Sequence, residues 1–347
     1  MRNRWLPWLG VVLMAVTVAT SHSGAQAPGA AAKAARDSKA RTAPRTPWGH
    51  PDLMGIWTTD AEIGVPIERP VELGNKAELT DQEFAERVRA IRKKYEDNKE
   101  DRQVRTGSTE NGPEHWYEGG KHESRRTSLI VDPPNGRIPE HTAEAKTRVV
   151  PKGTPLGFVG GSFGKGPFDG PEDLALVDRC ITRGLPQTWF PSQYNNGFQI
   201  VQTPDTVALY HERQHEARVI PIDNRPAPGP DVQEYMGYSR GRWEGDTLVV
   251  DVTNMSDRTT FRKAFGSKLR LTERFTRVDA ETVKVEITIN DPTTWTKPWT
   301  FAITGKQDPT YWQIFEYACH EGNYGMTNIL SGARAQERAA GKPTQSK

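Results

Sequence analysis

From Asn196 onward the chain is a succession of short apolar and polar alternations separated by turn residues. Alternation with a period of two marks half-buried strands. The pattern predicts strands over residues 197–203, 206–212, 217–222, 236–243, 247–254, 269–278, 282–290, 299–304 and 312–317. Thr203-Pro-Asp205, Trp243-Glu-Gly-Asp246, Val278-Asp-Ala280 and Asn290-Asp-Pro292 supply the turns. Short strands with regular turns and few helices between them predict a mainly β fold, an antiparallel barrel or sandwich. Strand–helix alternation is missing, so neither a Rossmann sheet nor a TIM barrel is expected.

The first half reads differently. An ordered start is expected near Pro51-Asp-Leu-Met-Gly-Ile-Trp57, and Ile67-Glu-Arg-Pro70 is held extended by its proline. Thr80 and Glu83 have the spacing of a capping box. The helix they open runs to about Asn98, with Phe84, Val88, Ile91 and Tyr95 at spacings of three and four. Residues 96–122 are polar and Gly-rich and include His115-Trp-Tyr117. A strand over 127–131, a turn at Asp132-Pro-Pro-Asn-Gly136 and a short helix over 141–149 follow. Residues 151–171 form a Gly-rich loop, of a length often tied to function.

The ends change the picture of where the chain works. Arg2 and Arg4 precede an apolar run from Trp5 to Ala19, and small residues follow at Ser23, Ala25 and Ala27. This is the layout of an export signal, with the apolar run short for a membrane span. The expected organisation is a signal peptide over 1–25, a disordered linker over 26–47 and an extended and helical segment over 48–175 packed on the barrel. The antiparallel β domain then spans 176–334 and a disordered tail 335–347. The expected location is periplasmic or secreted, with no stable membrane span once the signal is cleaved. Forty-six Lys and Arg against 44 Asp and Glu give a net charge of +2. That balance carries no clustered basic face for nucleic acid. In an exported chain the only two cysteines, Cys180 and Cys319, suggest a disulfide; two free buried thiols are the alternative.

Two polar clusters interrupt the β pattern. The first is His211-Glu-Arg-Gln-His-Glu-Ala-Arg218; the second is Cys319-His-Glu-Gly-Asn323. Glu212, His215 and Arg218 recur every third residue, a spacing that a regular strand cannot place on one face, so a bulge or turn is expected. An imidazole suits acid–base work, which makes His215 the candidate acid or base, with Glu212 orienting it. Arg218 suits a carboxylate or a developing oxyanion. His320 and Glu321 would join this catalytic set, on a turn held by the disulfide. Asn323, Tyr194, Asn195, Arg125 and Arg126 are the candidate substrate contacts. A salt-bridge network pinning a strand corner, a solvated turn and a solvated strand edge explain the same residues without catalysis. Trp243, Trp295 and Trp299 either line a cavity or pack the core. A metal held by His215, His320 and a carboxylate is the weaker reading, because the one short spacing, His211-x-x-x-His215, lies between strands and would not put both rings on one metal as a helix does. No cofactor is expected. His211-Glu-Arg-Gln-His215 spells H-E-x-x-H, but it joins two strands, where the two rings would not meet one metal as they do on a helix, and Gly160-Gly-Ser-Phe-Gly164 spells G-x-S-x-G within the Gly-rich loop; P-loop and G-x-G-x-x-G strings are absent from the sequence.

Several motifs carry a resemblance. Pro51-Asp-Leu-x-Gly-x-Trp57, Arg125-Arg-Thr-Ser-Leu-Ile-Val-Asp-Pro-Pro-Asn-Gly-Arg137, Asp178-Arg-Cys180, Tyr194-Asn-Asn196, Gly241-Arg-Trp-Glu-Gly-Asp-Thr-Leu-Val-Val250 and Tyr317-Ala-Cys-His-Glu-Gly-Asn-Tyr324 are quoted from this chain. Together they resemble a large group of secreted bacterial proteins with no assigned reaction. The resemblance covers most of the chain from Trp48 to about Arg334, and it implies a lipocalin-like β half. In similar sequences the first cluster reads Glu-x-x-His-x-x-Arg, matching Glu212, His215 and Arg218. Two functions follow as expectations. One is an exported lyase, isomerase or hydrolase acting on a small molecule in a barrel cavity. The other is a small-molecule binding or carrier protein using the same groups to hold its ligand. An envelope interaction module would instead show exposed apolar patches.

Overall fold

The structure, a computed structural model, describes residues 43–104, 124–151, 153, 168–223 and 225–341. The expected signal peptide, most of the linker and the tail beyond 341 lie outside the described residues. So do His115-Trp-Tyr117 and most of the 151–171 loop.

The β pattern folds into one ten-stranded, antiparallel sheet. Its strands are β1 (Gly55–Thr58), β2 (Ile130–Asp132), β3 (Gly197–Gln202), β4 (Thr206–His211), β5 (Glu216–Pro221), β6 (Tyr238–Glu244), β7 (Thr247–Thr253), β8 (Arg270–Asp279), β9 (Thr282–Asn290) and β10 (Trp299–Lys306). The order across the sheet is β5-β4-β3-β1-β10-β9-β8-β7-β6, and β2 also pairs with β10. The sheet curls until its two edge strands approach. There they share a single bridge, Ile222 to Gly241, and no continuous ladder, so the sheet does not close. At Gly241 a Cβ would lie only 3.1 Å from Ile220, which is how the edges come so near.

Alternation decides what fills the interior. In β9, Val283, Val285, Ile287 and Ile289 are fully buried while Lys284 and Glu286 point outward and pair with each other. Burying a side chain of this size stabilises by roughly 1.5–3 kcal/mol. Aromatics fill the rest: Phe190 stacks on Phe301 at 4.4 Å, and Trp295 meets Trp299 edge-on at 5.7 Å. Trp295 and Trp299 therefore pack the core, whereas Trp243 is partly buried and stacks on His50 at 4.7 Å.

The helices are α1 (Asp81–Val104), α2 (Ala143–Thr147) and α3 (Tyr324–Ala339). The capping box of α1 forms, with Thr80 N–H donating to Glu83 at 2.8 Å and Glu83 N–H to Thr80 Oγ1 at 3.3 Å. Three expectations are corrected. Residues 312–317 form no strand; they lie against outward-facing Ile56, Gln199 and Tyr210, where the sheet offers no free edge. The early strand is only Ile130–Asp132, because the Thr127 and Leu129 N–H groups donate to Ala77 O and Pro66 O, outside the sheet. Residues 335–339 belong to α3, whose Ala-Arg-Ala-Gln-Glu-Arg-Ala end is built of good helix formers and continues a helix with Met326, Ile329, Leu330 and Ala333 on one face. Among the described residues no helix is long and apolar enough to cross a membrane.

Candidate functional site

β4 ends at His211 and β5 begins at Glu216, and a single 3₁₀ turn over Arg213–His215 joins them. Gln214 and His215 sit at positive φ, 62° and 42°, which non-glycine residues rarely adopt. The turn is held by Glu212 N–H to Gly197 O at 2.9 Å and His215 N–H to Glu212 O at 3.0 Å. It sends the cluster two ways. Glu212, Gln214, Glu216 and Arg218 are buried, and His215 is exposed.

The inward half is engaged by buried polar partners. Arg218 pairs with Glu273 of β8 at 2.7 Å, their side chains 3% and 0% exposed. Trp189 Nε1 donates to the other Glu273 oxygen at 2.7 Å. Glu216 accepts from the Thr182 hydroxyl and from Arg183 N–H at 2.8 Å. Glu212 accepts from Asn195 Nδ2 at 2.8 Å. Arg183 is lowered to about 9 by burial and then by nearby Arg213, and stays charged at neutral pH. His211 lies edge-on to Trp189 at 4.6 Å. Burial first, then the Arg218 and Arg183 cations, holds its imidazole down at about 3.

His211 is therefore neutral in the folded protein and takes up a proton in the unfolded chain near its ordinary value of 6.5. The unfolded state binds more protons between these limits, so stability falls as pH drops from 6.5 towards 3. A His211→Gln variant is expected to show an acid limb shallower by about one proton, read from urea midpoints between about pH 4 and 7. An unaltered slope would contradict a neutral, buried His211.

The outward half meets the second cluster. Cys180 and Cys319 form a disulfide with a Cα–Cα distance of 5.7 Å, across 139 positions of sequence. It draws the 311–321 segment over the corner. His215 Nδ1 lies 3.3 Å from Tyr317 O, and the His215 and His320 rings are 6.5 Å apart. Tyr311 anchors the other end by resting on Gly197. A Cβ there would sit 2.3 Å from the Tyr311 oxygen and 2.7 Å from Glu212, so only glycine fits. Between the segment and the sheet lies a groove of about 780 Å³, lined by His215, His320, Glu316, Glu321, Trp312 and Phe315 among others. Tyr317 also faces it, and burial raises its phenol above the usual range.

The predicted residues thus divide. His215, His320 and Glu321 share the groove. Glu212 and Arg218 do not line it; each is engaged inside the molecule. Asn323 caps α3 and donates to Asp178 O at 2.8 Å. Tyr194 lies beneath the Arg213 guanidinium at 5.0 Å. Arg125 pairs with Asp81 at 2.6 Å over the Phe84 ring. Arg126 donates to Ala302 O at 2.7 Å, to Leu129 O at 2.6 Å and to Glu62 at 3.2 Å. Both arginines hold the N-terminal segment in place. Sequence reasoning missed Glu273, although its inward register between Leu271 and Phe275 was readable from the alternation of β8. It also missed Arg183, which no local pattern announces.

Among the described residues, no group of three or more His, Cys, Asp or Glu side chains is placed to hold a metal ion. Compared with protein-family models, curated proteins and solved structures, the chain matches none.

Proposed function

We propose that this chain is an exported small-molecule-binding protein whose ligand occupies the groove beneath residues 311–321. One observation carries the reading: an aromatic and ionisable groove of about 780 Å³, the size of a ligand site, with His215 and His320 in its wall. Trp312 and Phe315 offer apolar faces, and Glu316, Glu321 and the two imidazoles offer polar contacts. The groove lies outside the sheet, whose interior is filled by side chains such as Trp57, Phe198 and Phe275. The disulfide fits an oxidising compartment, which supports export.

Acid–base catalysis is the second reading, favoured by the two imidazoles 6.5 Å apart. A ligand between them would have an imidazole on either side, a residue type that both gives and takes protons. In that reading Glu212 and Arg218 support the corner from within and do not touch the ligand. The two readings separate when the purified protein and its His215→Ala variant are incubated with a metabolite pool and followed by mass spectrometry. Retention of one compound with the pool unchanged is the outcome expected for a binder. Consumption of a compound by the unmodified protein alone would move the assignment to an enzyme. Neither retention nor consumption would sink both.

A further inference from the structure

The fixed charges on the groove wall are one-sided. The whole chain carries 46 Lys and Arg against 44 Asp and Glu, yet among the described residues the groove is lined by Glu316 and Glu321 and by no Lys or Arg. On the outer face of the sheet carboxylates are neutralised: Glu286 by Lys284, Asp251 by Arg242 and Glu244 by Arg274. Glu316 and Glu321 make no ion pair or side-chain hydrogen bond with any described residue. Beside them stand the rings of Tyr210, Trp312, Phe315 and Tyr317. Trp312 and Phe315 are 70% and 46% exposed, large apolar faces left open to a ligand. His215 adds an acceptor. Its Nδ1 lies 3.3 Å from Tyr317 O, and a carbonyl only accepts, so the neutral ring keeps its proton on Nδ1 and leaves Nε2 to accept. Unpaired carboxylates next to open π faces attract positive charge, because the Coulomb attraction and the ring quadrupole act in the same sense. An anionic ligand would meet two like charges and no fixed cation.

We propose that the groove selects organic cations: an amine or quaternary ammonium with an apolar body, its charge met by the Glu316 and Glu321 carboxylates and by the face of Trp312. This inference rests on the groove being the ligand site and adds the class of ligand. The volume of about 780 Å³ leaves room for an apolar body beside the ammonium, and Ile56, Ile314 and Phe315 supply an apolar wall for it.

The test titrates the purified chain with three compounds of nearly the same shape, benzylammonium, benzyl alcohol and benzoate, by calorimetry. Benzylammonium is expected to bind about tenfold more tightly than benzyl alcohol, and benzoate more weakly than either. Added salt should weaken benzylammonium and leave the alcohol unchanged. Glu316→Gln together with Glu321→Gln should weaken benzylammonium about fivefold without affecting the alcohol, whereas Trp312→Ala should weaken both. All three side chains are at the surface, so melting temperatures should match that of the unmodified protein. Benzyl alcohol or benzoate binding as tightly as benzylammonium, and weakened by Trp312→Ala, overturns the charge assignment and leaves the groove as the ligand site. Benzylammonium binding that none of the substitutions changes overturns it too, and places the compound outside the groove. Binding of none of the three compounds also overturns it, while the groove itself is judged by the compound retained from the metabolite pool.

Discussion

Replacing Arg218 with methionine lowers stability by about 3–5 kcal/mol, the cost of leaving a buried carboxylate without its cation. Glu273 is fully buried and accepts from Arg218 at 2.7 Å and from Trp189 Nε1 at 2.7 Å. Methionine keeps most of the aliphatic stem, so the loss reports charge pairing and not a cavity. The double variant Arg218→Met, Glu273→Leu should regain most of it, because an ion pair replaced whole by apolar groups is often neutral. Urea unfolding of the three proteins reads the cycle. A loss below about 1 kcal/mol in the single variant, or an equal loss in the double, would mean the pair does not organise the interior. A large loss would place Arg218 among the groups that hold the corner's shape, apart from those that meet a ligand.

Reduction of Cys180–Cys319 is the second large effect. The bond closes a loop of 139 positions, worth about 5 kcal/mol in the chain-entropy model. A reducing agent, or Cys180→Ser with Cys319→Ser, should lower the melting temperature by several degrees. The expected consequence goes beyond stability. The groove's outer wall is the 312–321 segment, which has no regular secondary structure and is tied down beside His215 by this crosslink. Reduced protein at a temperature where the sheet is intact by circular dichroism should therefore lose retained ligand. Unchanged melting would show that packing alone holds the segment. Intact binding in the reduced protein would show that the tether is unnecessary for the site.

Much of the fold was legible because period-two alternation is local information. The run Thr-Val-Lys-Val-Glu-Ile-Thr-Ile-Asn states the faces of β9, and the strand is Thr282–Asn290 as the sequence predicts. Residues 312–317 share that look but have no partner edge, and edge availability is a property of the whole sheet. α3 went unread although Met326, Ile329, Leu330 and Ala333 recur at spacings of three and four behind the Asn323 cap, because the Cys319–Asn323 cluster by itself reads only as a turn. The site was legible in part. The every-third spacing of Glu212, His215 and Arg218 called for a break between strands, and a 3₁₀ turn is there. Which side each residue takes depends on two positive-φ positions, Gln214 and His215, that spacing does not reveal. After the turn, Glu216, Arg218 and Ile220 alternate inward, which fixes Arg218 in the core. That its partner would be Glu273 depends on the curl that brings β5 to β8, a long-range feature absent from any local string.

The sharpest test of the groove is the equilibrium affinity of whatever compound the protein retains, measured for the unmodified chain and for His215→Ala, His320→Ala together. The two rings stand exposed at the groove, so melting temperatures should match while affinity drops at least about tenfold, or roughly 1.4 kcal/mol. Equal affinities at equal stability would contradict the account and move the ligand elsewhere on the molecule.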